Sequence, residues 1–246
     1  QADYPILVHP MDKTDNYIKR CVGIPGDVIE IKKSQLWVNG QPALVAPFMQ
    51  TEYLVETDGR PLAEDFIQDS LGININEATA DFQFVEGQPN MFKLNLTAAA
   101  ALSLKKLPNV KSVVLFEDQN VGYTFPNDIL HFPWTADNFG PIRIPKKGDQ
   151  VPLNDSTIEL YRRVIEGYEQ QKLTTQNGQY FINGKAAKTY TIQANYYWMM
   201  GDNRHRSQDS RYWGFVPETH IVGRAALIWF SYSQSIRWNR LFNLIK

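Results

Sequence analysis

The stretch Met200-Gly201-Asp202-Asn203-Arg204-His205-Arg206-Ser207-Gln208-Asp209-Ser210-Arg211-Tyr212-Trp213-Gly214-Phe215-Val216-Pro217 organises this chain. It packs two serines, two aspartates and three arginines between two strand-like runs. Gly201 and Asn203 suit a tight, left-handed backbone, and Asp202 and Asn203 are expected to shape the turn through side-chain–backbone bonds. Asp209 and Arg211 stand two apart, so on an extended segment both project from one face and can pair; Ser207 shares their parity. A loop that only connects strands does not need this much specified chemistry.

A second anchor lies far upstream, at Asn16-Tyr17-Ile18-Lys19-Arg20-Cys21-Val22-Gly23-Ile24-Pro25-Gly26-Asp27-Val28-Ile29-Glu30-Ile31. Lys19 enters a β-branched run that Pro25-Gly26-Asp27 is expected to turn back on itself, giving two strands. Leu36-Trp37-Val38 adds a third, with Asn39-Gly40 as a hairpin signal. The same phrase recurs as Tyr180-Phe181-Ile182-Asn183-Gly184, which predicts a second, comparable hairpin in a β-rich core. Gly178, Gly184 and Lys185 do not make a phosphate loop, because the spacing is wrong and Ala186 replaces the required hydroxyl.

Composition narrows the classes. The 246 residues are 43% hydrophobic and 13% aromatic, enough for a substantial core, and the formal charge of −1 argues against a nucleic-acid binder. The single Cys21 excludes an internal disulfide and a cysteine-rich metal site. His9, His131, His205 and His220 have no ligand-like spacing, so no metal is expected. No run approaches the 18 apolar residues of a membrane span.

Taken together, Lys-Arg-x-x-Gly-x-Pro-Gly-Asp at 19–27 and Gly-Asp-Asn-Arg-x-x-Ser-x-Asp-Ser-Arg at 201–211 resemble two signature boxes of bacterial type I signal peptidases. The resemblance covers residues 16–40 and 196–230. It implies a mainly β fold and a serine endopeptidase that works without a cofactor. The implied substrates are signal peptides of exported preproteins, and the implied place is the bacterial inner membrane, with the catalytic domain facing the periplasm or outer side. By that resemblance Lys19 is the general base and Ser207 orients its amine. Asp209 and Arg211 form a bracing ion pair that Arg20 joins. Such a base must be a neutral amine, which burial in apolar surroundings promotes.

The family's nucleophile belongs to a Ser-x-x-Pro box upstream of the lysine, behind an anchoring helix. Here no serine precedes Lys19; the first is Ser34. The expectation is therefore a piece of a longer, membrane-anchored protein, itself inactive. Two other readings compete: a non-catalytic relative that binds peptide or serves assembly, and a self-cleaving repressor protease, which the Gly-Asp-Asn-Arg box and the absence of a DNA-binding segment disfavour.

Between the hairpins the pattern changes. Strands are expected at 51–57, 81–85, 91–96 and 110–116, with helices at 61–71 and 98–107, the second stopped by Pro108. That β-α-β-β-α-β order is consistent with a split-βαβ cap inserted into the β core. The expected partition is 1–47 and 175–246 as catalytic core, 48–125 as inserted α+β cap, and 126–174 as a Pro/Gly-rich return segment with a helix. In that helix Ser156 and Glu159 read as a capping box, and Ile158, Tyr161, Ile165 and Tyr168 line one face. Residues 1–15 read as an extended lead-in and 221–233 as a closing strand. Residues 235–246 read as an amphipathic element packed on its own domain rather than on a membrane surface.

Overall fold

The computed structural model describes residues 16–71, 73, 81–233 and 235–245. The lead-in expected at residues 1–15 lies outside them. The chain divides into two units, one of Gln1–Lys19 with Val222–Lys246, the other Arg20–Ile221.

The larger unit is mainly β. Strands β1 (Arg20–Gly23), β2 (Val28–Lys32), β3 (Gln35–Val38) and β4 (Gln41–Pro42) open it. Along β2, Ile29 and Ile31 are buried while Val28 and Lys32 face out, the period of two that a half-buried strand requires. Asn39 and Gly40 take φ of 51° and 76°, both left-handed, as a two-residue hairpin turn demands. Asn39 Oδ1 also accepts the Val28 N–H at 2.9 Å. The Pro25-Gly26-Asp27 turn departs from expectation, because β1 and β2 enter different sheets. The turn is held instead by the segment near Ile144: Gly26 N–H donates to Ile144 O (2.9 Å) and Ile144 N–H to Asp27 O (2.8 Å).

The inserted region forms the sheet β5 (Gln50–Thr57), β6 (Phe82–Val85), β7 (Gln88–Thr97) and β8 (Val110–Leu115), in the order β6-β7-β5-β8 with every pair antiparallel. A wide helical turn (Phe66–Ser70) lies between β5 and β6, and α1 (Ala98–Leu104) between β7 and β8, which is the split-βαβ order. Thr97 caps α1, its Oγ1 accepting the Ala100 N–H at 3.2 Å. Val55, Leu62, Ile67, Leu94, Leu96 and Leu104 fill a core that belongs to this region.

The chain returns through β9 (Phe139–Arg143), which pairs with β2, and β10 (Gln150–Pro152). Helix α2 (Ile158–Arg162) runs into a wide turn (Arg163–Tyr168). Ile158 and Ile165 are buried there, with Tyr161 and Tyr168 packed against the core. The capping box does not form: Glu159 pairs with Arg162, the N-cap Thr157 makes no side-chain cap bond, and Asn154 shapes the turn before the helix, its Oδ1 accepting from the Ser156 N–H and its carbonyl from the Ile158 N–H. Strands β11 (Leu173–Gln176), β12 (Gln179–Ile182) and β13 (Lys185–Ala186) make a meander, followed by β14 (Thr189–Thr191) and β15 (Tyr196–Met200). Asn183-Gly184 repeats the Asn39-Gly40 turn, with φ of 51° and 79° and Asn183 Oδ1 accepting the Lys172 N–H at 2.9 Å. Helix α3 (Ser210–Trp213) and β16 (Val216–Pro217) close the unit. Its core holds Ile29, Phe139, Ile144, Tyr196, Trp198 and Phe215.

In the smaller unit the single closing strand expected at 221–233 is not formed. Short pairs replace it, β17 (Leu227–Ile228) with β20 (Asn243–Leu244) and β18 (Tyr232–Ser233) with β19 (Ser235–Ile236). Trp238, Phe242 and Leu244 are exposed. No helix among the described residues is long and apolar enough to cross a membrane.

Candidate active site

The two motif-bearing stretches meet through one strand pair. β1 runs antiparallel to β15, with Arg20 opposite Met200 and Cys21 opposite Met199, although some 180 residues separate them. Alternation along β15 buries Tyr196, Trp198 and Met200, which fixes the register. Lys19 is the residue immediately before β1; its Nζ lies 5.8 Å from the centroid of the Tyr17 ring.

Arg20 does not join the Asp209–Arg211 pair. It binds Asp202 in a fork, Nε to Oδ1 at 2.8 Å and Nη2 to Oδ2 at 2.7 Å, on a surface where both side chains are about 40% exposed. The Arg20 hydrogen bond outweighs partial burial and holds the Asp202 carboxyl below its ordinary value of 3.8. Asp202 therefore spends its carboxylate on Arg20 rather than on the turn backbone. Asn203 has φ of −88° and Gly201 is not left-handed either. The loop needs no such strain, because outside partners hold it. Gly201 N–H donates to Asp209 Oδ2 (3.1 Å), Gln50 N–H donates to Asp202 O (2.8 Å), and Asn203 Nδ2 reaches Gln50 Oε1 at 3.5 Å.

Asp209 and Arg211 pair, though not on an extended segment. Asp209 is the N-cap of α3, its Oδ1 accepting the Arg211 N–H at 3.2 Å. Arg211 Nε and Nη2 each reach a carboxylate oxygen at 2.9 Å. Nη2 also donates to the carbonyl of Arg204 and Nη1 to that of Ala136 at 3.5 Å, so four of the five N–H groups of this fully buried guanidinium are engaged. Burial works against the charge, yet the Asp209 carboxylate outweighs it and raises the Arg211 pKa. Among the described residues neighbouring Arg204 has no carboxylate in hydrogen-bond contact, its Nη1 meeting the Met200 sulfur instead. Burial, followed by the Arg211 charge, pushes it down to about 10, which still leaves it charged at neutral pH.

Ser207 Oγ is buried without a hydrogen-bond partner among the described residues. Ser210, by contrast, is committed, its Oγ accepting from the Met199 N–H (2.9 Å) and from Trp213 Nε1 (3.1 Å). Two further side chains escaped sequence reasoning. His205, read as a histidine without metal-ligand spacing, binds Asp137 (Nε2 to Oδ2, 2.7 Å). Asp137 sits in the Pro/Gly-rich return segment with no motif around it, so no sequence signal pointed there. Among the described residues no cluster of three or more His, Cys, Asp or Glu side chains is placed to hold a metal ion.

The model of the family described as "Signal peptidase, peptidase S26" matches residues 3–101 and 140–230, most of the chain. This chain belongs to that family. A signal peptidase I of Buchnera aphidicola subsp. Acyrthosiphon pisum is 27% identical over 248 residues, covering 98% of this chain and 59% of the relative. The signal peptidase I of Buchnera aphidicola subsp. Baizongia pistaciae is 26% identical, covering 93% of this chain and 54% of that protein. That of Pseudomonas fluorescens is 42% identical over 140 residues, or 48% and 46% of the two chains. This member of the signal peptidase family thus spans only about half the length of the curated relatives it matches. Its second motif stretch and β1 both fall in the matched residues, whereas Asp137 lies in the unmatched 102–139.

Proposed function

We propose that this chain is the periplasm-facing part of a signal peptidase I, a membrane-anchored Ser–Lys endopeptidase that removes signal peptides from exported preproteins. Lys19 is the general base in this reading. Its neutral amine takes the proton of a nucleophilic serine as the hydroxyl attacks the scissile carbonyl, then returns it to the leaving amine. In this reading the Ser207 hydroxyl, which has no partner among the described residues, is the group that would orient the amine, and the buried Asp209–Arg211 pair braces the loop that carries it. The serine itself comes from outside these 246 residues, so the chain alone does not cleave.

The observation that carries the reading is the β1–β15 pair, which sets Arg20 opposite Met200 and so joins the two motif stretches. The unpartnered, buried Ser207 hydroxyl agrees with it. The test is the full-length gene product on a preprotein substrate, as wild type, Lys19→Ala and Ser207→Ala. Loss of cleavage in the folded lysine variant is expected. Unchanged cleavage there removes Lys19 as the base, and cleavage by the 246-residue chain alone refutes the external serine. An inactive full-length wild type favours a non-catalytic binding module instead.

A further inference from the structure

The motif loop is fastened to the inserted sheet by two side chains that lie between its Arg204 and Ser207. His205 reaches three separate segments. Its Nδ1 lies 3.0 Å from the backbone nitrogen of Glu52 and 2.9 Å from Thr51 Oγ1, both in β5. Its Nε2 lies 2.7 Å from Asp137 Oδ2, and the Phe116 ring meets the imidazole edge-on at 5.7 Å. A backbone N–H can only donate, so Nδ1 must accept and the ring proton sits on Nε2, donated to Asp137. Asp137 is buried and also accepts the Asp118 N–H at 2.7 Å.

Arg206 makes the second fastening. It contacts the Asp81 carboxylate at the start of β6 and lies 3.5 Å from Glu52. Lys93 on β7 neutralises Glu52 further at 3.0 Å, and Asn95 Nδ2 donates to Asp81 at 3.1 Å. The partners of Arg206 thus come from β5 and from the start of β6, and Lys93 and Asn95 on β7 of the same sheet hold those two carboxylates. Both fastenings bracket the backbone that leads directly into Ser207.

We propose that His205 and Arg206 are positioning residues, through which the inserted domain sets the place of Ser207. The inference rests on the Ser–Lys reading for its catalytic meaning, and on geometry alone for the fastening. Small displacements of a group that orients a base are costly: about 1 Å can lower a rate about 100-fold. His205→Gln keeps an N–H donor at the depth of Nε2 and so keeps the Asp137 arm, whereas His205→Ala loses both arms.

The experiment has two arms. In the 246-residue chain, hydrogen exchange of amides 201–211 is compared among wild type, His205→Ala, His205→Gln and Arg206→Ala. Faster exchange confined to that loop in the two alanine variants, with β2 and β9 unchanged, is expected. Unchanged exchange, or exchange raised everywhere, overturns the proposal. In the full-length protein, kcat is expected to fall about 10–100-fold in His205→Ala at nearly constant KM, with His205→Gln recovering most of it. Unchanged kcat with an active wild type also overturns it. Should the full-length wild type be inactive, the protease reading fails, and the exchange arm alone decides the fastening.

Discussion

Asp209 and Arg211 face each other within one turn, two parallel N–H···O bonds of 2.9 Å joining them, and neither side chain is more than 1% exposed. Removing one partner leaves a buried charge uncompensated, which typically costs about 3–5 kcal/mol. Asp209→Ala is expected to destabilise by that amount in urea melts and also to lose the α3 cap. A change below about 1 kcal/mol would show that water reaches the site.

Acid should loosen the motif loop before it unfolds the core. Burial alone would raise the Asp137 carboxyl, but hydrogen bonds from His205 and from the Asp118 N–H outweigh it and hold it below 3.8. The Asp202 carboxyl is held low by Arg20. Both groups have folded values below their unfolded ones, so their contributions are present above about pH 4 and fade as pH falls through the folded values. Asp137→Asn is expected to flatten the stability–pH curve below pH about 4. An unaltered curve would remove Asp137 from the linkage.

Alkali acts on a different cluster, around Glu169. Glu169 accepts the hydroxyls of Tyr190 and Tyr196 as well as the N–H groups of Gln193 and Ala194. Burial, reinforced by that carboxylate, raises both phenols above their ordinary 10.0. Each phenol stays protonated longer in the folded state, so its contribution is whole below pH about 10 and falls as pH rises beyond. Tyr190→Phe is expected to soften the loss of stability between pH 10 and 12. Equal losses in variant and wild type would refute this origin.

Two glycines separate strain from crowding. Gly184 has φ of 79° with open space where a Cβ would stand, so Gly184→Ala should cost about 1–2 kcal/mol from backbone strain alone. Gly214 has φ of 83° and ψ of −151°, and a Cβ there would lie 2.6 Å from two atoms of the Phe125 ring. That ring is buried, 5.4 Å from the centroid of Phe215 and 6.3 Å from that of Trp198. Gly214→Ala should cost about 3 kcal/mol or more, strain and overpacking together. Equal melting shifts for the two variants would contradict the steric part.

How legible the fold was depended on whether its cause is local. The Asn39-Gly40 and Asn183-Gly184 hairpins follow from backbone chemistry within four residues, and both formed as read. The β-α-β-β-α-β order of the insertion was also legible, because helix and strand periods alternate cleanly there. The Pro25-Gly26-Asp27 turn misled because its partner, Ile144, lies over a hundred residues away. Asp209 and Arg211 do pair, but through a helix N-cap rather than through the period of an extended strand on which the expectation rested. Arg20 was assigned to them rather than to Asp202, since nothing local distinguishes two nearby aspartates. His205 and Asp137 were illegible as a pair, because their meeting depends on three distant segments converging.

The β1–β15 pairing also bears on time. A ribosome reaches Met200 only after about four fifths of these residues are made, so β1 waits without its ladder partner while the inserted sheet, whose strands all lie within 50–115, can already assemble. The order of synthesis therefore favours a finished four-stranded sheet standing ready before the two motifs meet. A nascent chain stalled before Tyr196 would hold every part of the insertion and none of the pairing that joins the motifs.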